Sequence, residues 1–168
     1  MKIIRKDISD LPVKRSLFRI LKGNVLCSMA TVMHDREAHI NTAYFAYSDE
    51  PELFYVSYPD SIHSQNLLEN PSMAITVFNS KQTWGRADTG VQLFGSCREA
   101  KGRWRGKAER VYGRRFPGLI KWKNEMVKEE GAFLLRFFRF VPVEAKIFDE
   151  KEFGGGVFVV VQLHKQKR

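Results

Sequence analysis

The sequence predicts a mainly β fold with flanking helices, a small antiparallel barrel or sandwich of roughly seven strands. Three observations carry that reading. Seven runs rich in Val, Ile, Phe, Tyr and Thr recur along the chain, bounded by Gly, Pro, Asp, Asn or Ser. The first three have the lengths and short polar turns of an antiparallel meander. Helical patterns are confined to the N-terminus, a short segment after the third strand, and a basic stretch after the fifth.

The elements follow in order. "SDLPVKRSLFRILKGNV" reads as a helix that Ser9 or Asp10 can cap, with Pro12 in its first turn and Gly23 after its end. Leu17, Ile20 and Leu21 share one face, and residues 1–22 are assigned to this N-terminal helix. Residues 24–33, 38–47 and 53–58 are the first three strands, joined by the turns "HDRE" and "SDEPE". "YPDSIHSQNLLENP" is then a short helix. Pro59, Asp60 and Ser61 start it, and Asn70 and Pro71 stop it. Residues 72–80 form the fourth strand, 81–90 a polar loop, and 91–100 the fifth strand. A basic helix stops before Pro117, and residues 119–131 are a second helix or a lid. Residues 132–149 are a long strand, broken or bulged near Pro142, and 154–163 the last strand before a basic tail, 164–168. No repeat or linker interrupts the 168 residues, which are read as one domain.

Composition excludes several classes. Hydrophobic residues make up 43% of the chain, enough for a core, so disorder is not expected. No long uncharged apolar run marks a membrane helix, and the N-terminus is charged where a signal peptide is apolar. A cytoplasmic protein without a membrane is expected. Cys27 and Cys97 are far apart and lack CxxC spacing, so they read as buried reduced thiols, not as a disulfide or metal site. The net charge of +9 fits nucleic acid, a phosphate-bearing ligand, or plain solubility.

The short polar helix bears on that choice. A helix start presents free N–H groups and partial positive charge, which favour anions. Ser61 and Ser64 can donate hydroxyl protons to phosphate oxygens, and His63 can add an N–H or a charge. A protonated His63 opposes the helix dipole until a phosphate arrives, which would raise its pKa. Taken alone, the segment reads first as a capped surface helix with a solvated His63.

In its place between strands, "LFYVSYPDSIHSQNLLENPSMAITVF" resembles the core of the pyridoxamine 5'-phosphate oxidase-like, FMN-binding split barrels. "GVQLFGSCREA" resembles their following strand, and "VPVEAKIFDEKEFGGGVFVVV" their C-terminal strands. "VYGRRFP" points to an uncharacterised bacterial branch more than to the oxidase itself. The resemblance implies a six- to seven-stranded antiparallel split β-barrel. By the same resemblance, Tyr58, Ser61, Ile62 and His63 lie at the FMN phosphate, with Gln65 and Asn66 continuing the helix. Asn41, Thr42 and Ala43 line the flavin ring. Gln82, Thr83 and Trp84 lie in a loop that meets the flavin or ribityl chain, and Gln92 faces the flavin. Ile62 and His63 stand where the oxidase has Arg and Lys.

The resemblance further implies a homodimer with the cofactor at the subunit interface, acting as a flavin-dependent reductase or oxidase on an unknown small molecule. No catalytic residue is identified, and no metal is expected. One alternative is a non-catalytic protein binding a flavin-type cofactor or haem, for which His164 in the tail is a weak candidate ligand. Another is a cofactor-free barrel that binds an acidic partner through its basic helix. In that helix, the first half reads as a solvated face. "YGRRFP" places Tyr112, Arg114 and Arg115 at a substrate or partner-subunit groove. No nucleic-acid-binding motif is visible, so nucleic acid is not expected as a partner. His34 and His39 read as surface residues.

Overall fold

Alternating burial sets the faces of the strands. In the strand Leu26–Val32 (β2), Cys27, Met29 and Thr31 are buried, while the residues between them are partly exposed. The computed structural model describes residues 1–163; the basic tail and His164 lie outside the described residues. The remaining strands are β1 (Lys2–Asp7), β3 (Ala38–Tyr44), β4 (Ala46–Tyr47), β5 (Leu53–Ser57), β6 (Ser72–Phe78), β7 (Thr89–Glu99), β8 (Arg136–Asp149) and β9 (Val157–Gln162). The helices are α1 (Leu11–Gly23), α2 (Ile62–Glu69), α3 (Arg103–Arg115), α4 (Leu119–Glu130) and α5 (Glu150–Phe153).

The strands pair in the order β1-β9-β8-β7-β6-β2-β3, and β5 pairs with β8 while carrying β4. β3 runs through Phe45 into β4, so the sheet curls back on itself. No ladder joins β3 to β5, and the barrel is split along that line. β8 holds the two halves together. Along one edge it pairs with β7; along the other it pairs with β5 through Arg136–Phe140 and with β9 through Glu144–Phe148. Pro142 sits at the changeover, where the β7 register shifts between Phe94 and Gly95. A residue without an N–H is tolerated there because no neighbour needs its donor.

Two strands exceed the expected count. β4 has only two residues. β1 corrects the assignment of residues 1–22 to the N-terminal helix: Lys2–Asp7 pair in parallel with β9, and the helix starts at Leu11. The sheet is therefore mixed rather than wholly antiparallel. "KIIRKD" shows no apolar alternation, and the Val-rich β9 supplies the partner that makes it a strand. α1 forms as expected. The Asp10 carboxylate accepts the Val13 N–H, and Val13, Leu17, Ile20 and Leu21 are buried against the barrel core. A second apolar cluster joins α3, through Ala108 and Tyr112, to Ala46, Phe54 and Phe137 of the sheet. Both cysteines are buried free thiols. Among the described residues no helix is long and apolar enough to cross a membrane.

Candidate functional site

The split between β3 and β5 is closed at one end by α2, and there the polar side chains converge. β5 ends at Ser57, the chain turns at Pro59 and Asp60, and α2 begins after Ser61. Ser61 has the extended backbone of an N-cap, but its hydroxyl makes no cap bond. It donates instead to the Tyr58 carbonyl at 2.9 Å and reaches Ser64 Oγ at 2.8 Å. His63 Nε2 lies 2.7 Å from Ser57 Oγ and 3.2 Å from Ser61 Oγ. The first backbone N–H groups of α2 thus have no side-chain cap, and three hydroxyls and an imidazole stand beside them.

The wall facing this cluster is β3. The His39 ring stacks on His63 with centroids 6.2 Å apart, and Tyr55 flanks the same imidazole at 6.2 Å. Burial and the neighbouring His39 hold the His63 imidazole below the ordinary histidine range, so it is neutral at pH 7. Two polar atoms on this wall, His39 Nδ1 and Asn41 Oδ1, are buried without a hydrogen-bond partner. Buried polar atoms are normally paired, so an orphaned pair on one face of one strand marks a place for a ligand or water.

The structure sorts the expected residues into three groups. Ser61 and His63 meet at the cluster, with the Tyr58 carbonyl; Asn41 lies two residues along β3 from His39, on the same strand face, and Asn66 ties α2 to β2 by donating to Thr31 Oγ1 at 2.9 Å. Thr42 and Gln92 share a second surface, the outer face of the sheet. A register row crosses it from Thr42 through Ser28, Thr76 and Gln92 to Lys146. Ile40, Ala30, Ala74 and Phe94 form the adjacent row, and Ile40 is 71% exposed. Ala43 points the other way and packs on the core. The third group lies apart. Ile62 is exposed, and Gln65 turns to the far flank of α2, donating to the Pro59 carbonyl at 2.7 Å. In the loop after β6, Thr83 and Trp84 are solvent-facing, whereas Gln82, which accepts from the Thr89 hydroxyl at 3.0 Å, lines one pocket with Gln92, Thr76 and Lys146 and so belongs with the second group. Tyr112 is buried against Phe116 and Phe137, and Arg114 is exposed. Arg115 donates to the Leu21 carbonyl at 2.9 Å and to that of Asn24, capping the end of α1, and lies over the Phe45 and Tyr47 rings.

Two members of the cluster escaped the sequence reading. Ser57 and His39 were not singled out for a ligand, and His39 is half-buried rather than a surface residue. The period-two spacing of His39 and Asn41 was the available signal. The cluster contains no Arg or Lys. His39 and His63 are its only groups able to gain positive charge, and among the described residues no group of three or more His, Cys, Asp and Glu could hold a metal.

Comparison with known proteins agrees with the fold. No curated protein sequence matches the chain. Among solved structures, a conserved hypothetical protein from Mycobacterium tuberculosis aligns with TM-score 0.67 at 15% identity, covering 84% of this chain and 87% of that one. HutZ, a haem storage protein from Vibrio cholerae, aligns with TM-score 0.61 at 16% identity, covering 77% and 89%. An FAD-binding protein from Mesorhizobium loti aligns with TM-score 0.55 at 18% identity, covering 79% and 89%. The structural likeness shows a shared split-barrel fold, of which the Vibrio cholerae neighbour is a haem protein and the Mesorhizobium loti neighbour an FAD-binding one. The sequence itself matches the pyridoxamine 5'-phosphate oxidase family over residues 14–146, most of its length, and the chain belongs to that family.

Proposed function

We propose that the protein is an FMN-binding homodimer that acts as a flavin-dependent oxidoreductase on a small molecule. The observation that carries the reading is the pair of orphaned polar atoms, His39 Nδ1 and Asn41 Oδ1, facing the Ser57–Ser61–His63 cluster at the uncapped start of α2. Free N–H groups and hydroxyls fit the terminal phosphate. Asn41 fits the polar edge of the ring system, and Ala43 leaves β3 without bulk beside it. Bound FMN would supply the electron chemistry. The chain's own residues hold the phosphate, fix the ring along β3, and shield it from water. Ile62 points to solvent, so recognition of the phosphate rests on dipoles and on protonation of His63 rather than on a fixed cation.

The homodimer reading rests on the outer sheet face, where Ile40, Tyr44, Phe78 and Phe94 are exposed together. Apolar surface of that extent on one side of a sheet is characteristic of an interface. A second copy packed there would set its Thr42–Gln92 row against this one, and Arg114, exposed and without a carboxylate within 4 Å among the described residues, is available to an acidic substrate.

The test is the visible spectrum of purified protein with titration by FMN and riboflavin. Flavin bands and FMN binding are expected, and His63→Ala should weaken FMN about tenfold while leaving riboflavin within twofold. A Soret band with no flavin affinity would overturn the reading in favour of haem. Equal loss for FMN and riboflavin would remove His63 from the phosphate. Consumption of NADH or NADPH by the FMN-loaded protein tests for turnover.

A further inference from the structure

The far flank of α2 borders a cavity of about 430 Å³, separate from the His63 cluster. It exists because β7 outlasts β6. The β6 ladder ends where Ser72 meets Ser96, so the last residues of β7 pair with β8 but have no strand on their other edge, and α2 lies across that gap. Leu67 and Phe138 form its floor, and Leu68, 72% exposed, forms one lip. A cavity of this size with an apolar lining and few polar groups has the usual character of a small-molecule site.

Its charge balance and one backbone donor favour an anion. The Cys97 N–H donates to the Pro71 carbonyl at 2.8 Å, away from β8, whereas the Ala100 N–H donates to Phe137 on β8 at 2.7 Å. By the two-residue alternation of a strand, the Glu99 N–H therefore points into the cavity, with no partner among the described residues. Arg98 and Lys101 stand at the rim. The one carboxylate there, Glu99, is already held by Lys101 at 3.5 Å and Arg136 at 3.9 Å. Arg98 meets no carboxylate within 4 Å among the described residues. Two lining cations, Arg98 and Lys101, against one carboxylate leave the rim net positive.

We propose that this groove is a second ligand site, which binds a small carboxylate carried on an apolar body. The carboxylate accepts from the Glu99 N–H and pairs with Arg98, and the apolar body lies on Leu67, Leu68 and Phe138. The site does not depend on the flavin reading. The two places share α2, and Ser64, which lines the cavity, is hydrogen-bonded to Ser61 at the other flank.

The test titrates the full chain with octanoate and with octan-1-ol, reading affinity by calorimetry and position by the ¹H–¹⁵N shifts of the Glu99 and Leu68 amides. Octanoate should bind roughly tenfold more tightly than octan-1-ol and shift both amides. Arg98→Ala should weaken octanoate about tenfold and leave octan-1-ol unchanged, and Leu68→Asp should weaken both. Both side chains are exposed, so neither change threatens the fold. Equal affinity for acid and alcohol, no effect of Arg98→Ala, or shifts confined to Ile40 and Phe94 on the outer sheet face would each overturn the proposal.

Discussion

The His63 imidazole lies 2.7 Å from the Ser57 hydroxyl, so the end of β5 and the first turn of α2 share one hydrogen bond across the turn between them. The contact holds the ring in a half-buried place, where desolvation and His39 lower its pKa below the ordinary 6.5. A phosphate dianion at the helix start reverses that balance and raises the pKa. FMN binding then takes up a proton. Between about pH 8.5 and 6.5, where the phosphate stays dianionic, FMN affinity should rise as pH falls, while riboflavin affinity stays flat. His63→Gln should flatten the FMN profile. Parallel profiles for the two flavins, measured by fluorescence quenching, would show that no proton on His63 meets the phosphate.

Exposed apolar side chains on the outer sheet face predict self-association. Ile40 and Phe94 lie in one register row, separated by Ala30 and Ala74, so the surface between them is flat and accessible. In a symmetric dimer each changed residue acts twice. Ile40→Glu with Phe94→Glu should weaken association at least tenfold and leave the unfolding midpoint of the protomer nearly unchanged. Sedimentation velocity reads both outcomes. A wild-type protein that stays monomeric at high micromolar concentration would remove the interface.

What the sequence made legible was local. Ser61 and His63 were readable because a turn, a cap and an Asn-Pro stop bound one short helix, whereas Asn41 came only from the family resemblance, together with Thr42 and Ala43 on either face of the strand. Ser57 and His39 were not, because their importance comes from β3 and β5 approaching without pairing, which no local pattern encodes. Arg115 shows the same limit. Next to Arg114 and Phe116 it reads as a groove residue for a substrate or partner subunit, yet its guanidinium closes the end of a helix far back in the chain. β1 had no pattern at all and is defined by β9.

Glu52, 2% exposed, forms an ion triad with Lys107 and Arg139, and Arg139 lies over the Trp104 ring at 3.6 Å. Burial pushes the Glu52 carboxyl up, but hydrogen bonds and charge from Arg139 and Lys107 outweigh it and hold the pKa below 4.5. The triad fastens β5 to α3 and β8. Arg139→Ala leaves the buried carboxylate with one cation, Lys107, and should destabilise the protein by about 3 kcal/mol at pH 7. The sign with pH follows from the lowered pKa. The Glu52 contribution is complete above 4.5 and is lost as pH falls through the native value. Glu52→Gln should therefore reduce the steepness of acid unfolding below pH 4.5. Identical acid slopes in urea titrations would show the triad to be energetically neutral.

Gly95 is the point where the two halves of the barrel are pinned. A Cβ built on it would lie 2.2 Å from the Val141 carbonyl oxygen and 2.6 Å from Pro142 Cα, both main-chain atoms that cannot rotate away. The close approach follows from the register shift of β7 against β8, itself placed where β8 exchanges β5 for β9. Gly95→Ala must push the strands apart at their most heavily shared edge and should cost about 2 kcal/mol, seen as a lower urea midpoint. Gly90→Ala, on the same strand, is the control. Its nearest neighbour is Phe78 Cβ at 3.4 Å, ordinary contact, so its midpoint should stay close to wild type. The difference between the two alanines isolates the steric term, since both remove the same backbone freedom from the unfolded chain. Equal midpoints would mean that β8 can yield at Pro142, and that the changeover is a hinge rather than a pin.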